Sequence, residues 1–115
     1  MSRQLSDLAP EFRPYAEALV QAARSLGPTT VTSTRRSWAQ QQGLWLDYLQ
    51  GKRALPALPP DRSMHVLGWA IDLVVGSYRA GGPPSPEMKL LGDWWNRSGG
   101  LWGGTADPVH FSVRQ

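Results

Sequence analysis

The sequence predicts an α+β fold, a small antiparallel sheet packed with about three helices in a single domain covering residues 1–115. Segments with apolar residues at helical spacing alternate with short β-branched runs, and the two kinds of element are interleaved along the chain. The length suits one core and leaves no room for two full domains. No repeat or low-complexity tract interrupts it.

The first helix follows Pro10-Glu11: Phe12, Tyr15, Leu19 and Val20 share a face, and Gly27-Pro28 ends it after about Leu26. TTVTST, bounded by that Gly-Pro pair, is a strand over about Thr29 to Thr34. Ser37 then caps a second helix carrying Trp38, Gln41, Leu44, Trp45, Tyr48 and Leu49 as far as Gly51. GKRALPALPPDR is a loop, rich in proline and charge. The run after Gly68, AIDLVV, is a buried strand, and RAGGPPSP is a second loop. Pro86-Glu87 opens a third helix with Met88, Leu90, Leu91, Trp94 and Trp95, stopped by Gly99-Gly100. In the closing strand VHFSVR, Val109, Phe111 and Val113 share one face, while His110 and Ser112 take the other.

Apolar residues at 41% and charged residues at 18% mark an ordinary globular chain and exclude a charge-rich disordered one. Without cysteine, there is no disulfide framework and no thiolate metal site, so any metal must use nitrogen and oxygen ligands. No apolar run approaches 18 residues, and charges fill the first dozen positions, so neither a membrane partner nor a standard secretion signal is expected. The net charge of +3 is spread over single or paired basic residues, Arg35-Arg36 and Lys52-Arg53 among them, without a groove-reading helix; no nucleic-acid partner is expected, and the chain is expected to be a monomer.

The chain has only two histidines, and each stands near an aspartate: His65 with Asp72, and His110 with Asp107. Two imidazoles and a carboxylate are a common ligand set for a catalytic zinc ion. Two histidines and two aspartates are equally compatible with hydrogen-bonded core and surface groups. An offset of seven would put His65 and Asp72 on opposite faces of a regular strand. A bend or bulge near Gly68 would bring them to one site, and Pro108 gives Asp107 the same freedom toward His110.

The run SMHVLGWAID resembles the S-x-H-x-x-G-x-A-x-D motif of the zinc D-alanyl-D-alanine carboxypeptidase and L-alanyl-D-glutamate endopeptidase family of wall peptidases, and GGLWGGTADPVHF resembles that family's closing motif. VTSTRRSWAQQ is similar to its strand-to-helix segment, with Ser33, Arg36 and Gln41 in the matching places. The three motifs fall in family order from about Leu8 to Phe111. The resemblance implies one zinc ion on His65, Asp72 and His110, with Asp107 as general base. It implies that Arg36 stabilises the oxyanion or grips a substrate carboxylate, and that Ser33 and Gln41 bind substrate. Two departures stand out: Asp61 where glycine is frequent, and Ser112 where an acidic residue is frequent.

Of the six tryptophans, Trp45, Trp94 and Trp95 have helical spacings that suit a core, whereas Trp69 and Trp102 flank the proposed site and are expected to bind substrate. The function implied is hydrolysis of peptidoglycan stem peptides, as an endolysin-like L-alanyl-D-glutamate endopeptidase. A D-alanyl-D-alanine carboxypeptidase or endopeptidase would use the same centre. A zinc-containing wall-binding module without catalysis is the alternative of another class, since the superfamily that contains sonic hedgehog includes such domains. Such an enzyme, made in the cytoplasm, would act on the wall after phage lysis or effector delivery.

Overall fold

The structure is a computed structural model that describes residues 2–79 and 81–113. Ala80 of the second loop, Arg114 of the closing strand and the domain ends Met1 and Gln115 lie outside the described residues. Within them, α1 (Arg13–Leu26), β1 (Thr29–Ser33), α2 (Trp38–Leu49), α3 (Met64–Leu67), β2 (Ala70–Val75), α4 (Pro86–Arg97), β3 (Gly100–Trp102) and β4 (His110–Val113) follow in order. The strands form one antiparallel sheet in the order β1-β2-β4-β3. The α+β architecture is as expected. Two elements, α3 and β3, are additional, because one helical turn and a three-residue strand are too short to show a period.

Alternation along β2 divides the molecule. Ile71, Leu73 and Val75 join Val109 and Phe111 in a core closed by α1 and α4. In α1, Ala16, Leu19, Val20 and Ala23 form one buried stripe. In α4, Met88, Leu91 and Trp95 do the same, and the Trp95 indole N–H donates to the Ser112 carbonyl at 2.9 Å. Asp72 faces the other way, toward α2 and α3.

The second helix corrects one expectation. Ser37 does cap it, with a reciprocal capping box to Gln40, yet its apolar residues do not enter the core. Trp38 and Leu49 are exposed, Trp45 is half-buried outside the core cluster, and the buried residue of α2 is Gln41. The helix packs against α3 and the turn at Pro60–Arg62, and what it buries is a polar group with partners.

Two irregularities bring the polar groups into line. The bend expected near Gly68 is present: Gly68 ends α3 in the left-handed conformation at φ +78°, which turns the chain sharply from the His65 helix into β2. A bulge lies in β1 as well, where Val31 pairs with Leu73 but Ser33 pairs with Asp72, so Thr32 is the extra residue. A Cβ at Gly68 would lie 2.7 Å from the Ala9 backbone nitrogen, whose N–H donates to the Gly68 carbonyl. Gly68→Ala combines left-handed strain with a backbone clash and is expected to destabilise the fold by about 2 kcal/mol, a fall of roughly 10 °C in the melting temperature by calorimetry.

Candidate metal centre

Cross-strand pairing sets the geometry of the site. Asp72 in the central strand stands opposite Ser33 of β1 on one side and His110 of β4 on the other, so the three side chains form a row on the polar face. His65 joins the row from α3. Its Nε2 lies 3.0 Å from Asp72 Oδ1, and Nδ1 of His110 lies 3.3 Å from the same oxygen. The ligand atoms of His65, Asp72 and His110 all fall within 4.8 Å of one another.

The segment after β1 holds His65 by its backbone. The Thr34 carbonyl is 2.8 Å from Nδ1 of His65, and the His65 carbonyl accepts from the Arg36 N–H at 3.0 Å. A carbonyl only accepts, so Nδ1 carries the proton. Thr34 contributes through its main chain, which leaves no side-chain signal in the sequence.

Asp72 divides its two oxygens. Oδ1 faces the imidazoles, and Oδ2 accepts from Nη2 of Arg36 at 2.7 Å. The other arms of that guanidinium are also engaged: Nε donates to Ser33 Oγ at 3.1 Å and Nη1 to Gln41 Oε1 at 3.0 Å. Gln41 in turn donates to the Leu58 carbonyl at 2.7 Å. Ser33, Arg36 and Gln41, expected to meet substrate, therefore form a buried bracket that fixes the Asp72 carboxylate.

Burial by itself would raise the Asp72 pKa, but the charge of His65 and hydrogen bonds from His110 and His65 outweigh it and hold the carboxyl well below the usual range. Burial lowers the pKa of His65 despite the opposing pull of Asp72. Burial likewise lowers the Arg36 pKa, against the pull of Asp72.

The row opens into a cleft of about 340 Å³ whose polar lining includes Arg36, Gln41, Arg53, Ser63 and Asp107. Tyr48, Pro56, Ala57, Leu58 and Met64 supply its apolar wall. Asp107 enters from the turn before β4, where the His110 N–H donates to its carbonyl at 3.1 Å. Burial and the neighbouring Asp72 charge raise the Asp107 pKa to about 6. Arg53 is the charged cleft residue that sequence reasoning left unassigned; it registered only as half of a basic pair.

Trp69 and Trp102 do not line this cleft. Trp69 packs against Phe12 with ring centroids 6.1 Å apart. The Trp102 ring lies on Gly92, where a Cβ would come within 2.1 Å, and its N–H donates to the Pro108 carbonyl at 2.8 Å. Both indoles support the backbone beside the site. Both are partly buried and pack against the core.

The donor set fits a metal ion. With Nδ1 of His65 held by the Thr34 carbonyl, Nε2 is the ring nitrogen turned toward Asp72 Oδ1, and His110 Nδ1 lies beside that same oxygen. Two imidazole nitrogens and a carboxylate oxygen thus converge where a cation could take the place of the protons they share. Two imidazoles and a carboxylate suit zinc in particular, and the hydrogen bond from Nδ1 is the outer-shell contact that orients a ligating histidine.

No family model matches the sequence, and no curated protein matches it closely enough to count as a relative. Solved structures do. The LdcB LD-carboxypeptidase superposes with a TM-score of 0.64 at 18% identity, over 92% of this chain and 58% of that one. The vancomycin-resistance D,D-pentapeptidase VanY, in complex with Zn(II), gives 0.64 at 20% identity, over 92% of this chain and 72% of that one. The Serratia marcescens L-Ala D-Glu endopeptidase ChiX gives 0.60 at 20% identity, over 96% of this chain and 83% of that one. The chain thus spans little more than half the length of LdcB and most of ChiX. It has the fold of the zinc wall peptidases whose motifs its sequence resembles.

The raised pKa of Asp107 makes a stability prediction. Its folded value of about 6 exceeds the ordinary 3.8, so the native state holds the proton more tightly than the unfolded chain. The stability that this proton provides is complete below about pH 4 and is lost as pH rises through 6. Asp107→Asn, which never ionises, is therefore expected to stabilise the metal-free protein at pH 7 by on the order of 1 kcal/mol. Melting temperatures of the two proteins should converge as the pH is lowered toward 4.

Proposed function

We propose that this chain is a zinc metallopeptidase that hydrolyses the stem peptides of peptidoglycan, with the bond between L-alanine and D-glutamate as its target. The observation that carries the reading is the convergence of His65 Nε2, Asp72 Oδ1 and His110 Nδ1, three potential metal ligands within 4.8 Å of one another. When bound there, zinc supplies Lewis acidity toward a scissile carbonyl and acidifies water.

The chain's own residues supply the rest. Asp107, with a pKa near 6, is mostly ionised at neutral pH yet basic enough to take a proton from the attacking water and return it to the leaving amine. Arg36 keeps the Asp72 carboxylate in one orientation, and Ser33 and Gln41 keep Arg36 in place. The apolar wall of Tyr48, Pro56, Ala57 and Leu58 accommodates a small side chain such as the methyl group of alanine. All of these groups come from one chain, so a monomer suffices.

Three solved neighbours bear on the bond. LdcB is an LD-carboxypeptidase, VanY a D,D-pentapeptidase and ChiX an L-Ala D-Glu endopeptidase. Cleavage between L-alanine and D-glutamate, the bond named for ChiX, is the reading to test first; cleavage at D-alanine is the alternative at the same centre. Acting on such a polymer requires delivery to the cell wall, which phage lysis or effector transfer would provide. The raised basicity of Asp107 favours an enzyme over a wall-binding module, because binding alone has no use for a destabilising carboxylate.

Purified peptidoglycan treated with the zinc-loaded protein is expected to release new amino groups, and mass spectrometry of the fragments should show free N-terminal D-glutamate. Chelation or His110→Ala should abolish the release, and Asp107→Asn should slow it by 100-fold or more. Lysis that persists in chelator would overturn the metal assignment. New D-alanine in place of N-terminal D-glutamate would move the assignment to the carboxypeptidase.

A further inference from the structure

We propose that Arg53 is the specificity residue of the cleft, binding a carboxylate on the α-carbon of the residue whose amine is released. The inference rests on the peptidase reading of the same site and goes beyond it by naming the group that the cleft selects. Two adjoining cavities, of about 340 and 300 Å³, share Arg36, Arg53 and Asp72 in their linings, so Arg53 stands where they meet.

Arg36, the other arginine there, gives three of its five N–H bonds to the protein: Nε, Nη1 and Nη2 donate to Ser33, Gln41 and Asp72. Arg53 gives one. Its Nε donates to the Leu55 carbonyl at 3.0 Å, which fixes the plane of the guanidinium, and this is its only hydrogen bond among the described residues. No carboxylate of the described residues forms an ion pair with it. The four N–H bonds on its two Nη atoms remain for a ligand, in the fork geometry that matches a carboxylate.

Arg53 also lies close enough to Asp107 and to Arg36 for its charge to lower the pKa of both. It therefore sits within Coulombic range of the proposed base as well as of the Asp72 bracket. The lining charges, two arginines against two aspartates, cancel, and a bound divalent ion would bring the total to about +2, a field that favours an anionic substrate. A leaving residue with its carboxylate next to the scissile nitrogen answers that field. D-Alanine at a chain end presents such a carboxylate, and so does D-glutamate when the peptide continues from its side chain.

The test pairs acid and amide substrates. L-Ala–D-Glu peptides extended through the side chain, and D-Ala–D-Ala peptides, are each prepared with a free α-carboxylate and with the α-carboxamide. In the zinc-loaded protein, kcat/KM for the acid should exceed that for the amide at least tenfold in whichever series is cleaved, which also identifies the source of the carboxylate. Arg53→Ala should bring that ratio toward one by raising KM for the acid, and Arg53→Lys should restore part of it. Equal treatment of acid and amide by the wild type would overturn the inference. So would a proportional loss on both substrates in Arg53→Ala, the mark of a merely structural role.

A second readout separates this inference from the peptidase reading. Titration of the zinc-loaded protein with D-glutamate and with its α-amide, followed by the backbone-amide NMR signals of the cleft residues, needs no turnover. Acid-selective shifts that vanish in Arg53→Ala uphold the inference even if neither peptide series is cleaved. Binding that does not distinguish acid from amide overturns it, whatever the enzyme hydrolyses.

Discussion

The Asp72 carboxylate is the constraint on which the site depends. It is a buried charge at the centre of a sheet whose opposite face is hydrocarbon, where an unpaired carboxylate would cost several kcal/mol or shift its pKa until it was neutral. Arg36 prevents that by donating to Oδ2, which leaves Oδ1 for the two imidazoles. The rest of the polar face follows from this pairing. Ser33 and Gln41 are buried where they complete the guanidinium, Ser33 from β1 and Gln41 from α2.

Arg36 thereby acts on the protein's own carboxylate. A cation near a hydrolytic centre invites the reading of an oxyanion donor, and the family motif points the same way. In the structure three of its five N–H bonds go to the bracket, which orients Asp72. The residue is still exposed to the cleft at one edge, and its charge contributes to the local field.

Much of this was legible in the sequence. Helical spacing found the core stripes of α1 and α4, and alternation put Phe111 in the core and His110 outside it. The motif residues His65, Asp72, Asp107 and His110 do line one cleft. What remained hidden was set by the main chain or by tertiary contact. The bulge at Thr32 registers Ser33 against Asp72, yet a Thr-Val-Thr run looks the same with or without an extra residue. The turn of helix holding His65 has four residues, too few for a period. Trp69 and Trp102 flank the ligands in sequence, but the glycine at 92 lets one ring lie flat on α4, while Phe12 receives the other. The apolar spacing of α2 was real, although it faces a cleft and solvent instead of the core.

The polar face carries one unfavourable electrostatic contact. Asp107 holds a second carboxylate close enough to Asp72 for the charge of Asp72 to raise its pKa. Hydrophobic burial on the opposite face of the same four strands supplies the stability that tolerates it. A divalent cation among His65, Asp72 and His110 would weaken this repulsion by compensating the charge of Asp72. The free energy of binding such an ion then includes the relief of that repulsion, so the pairing of carboxylates that costs stability also favours the metal.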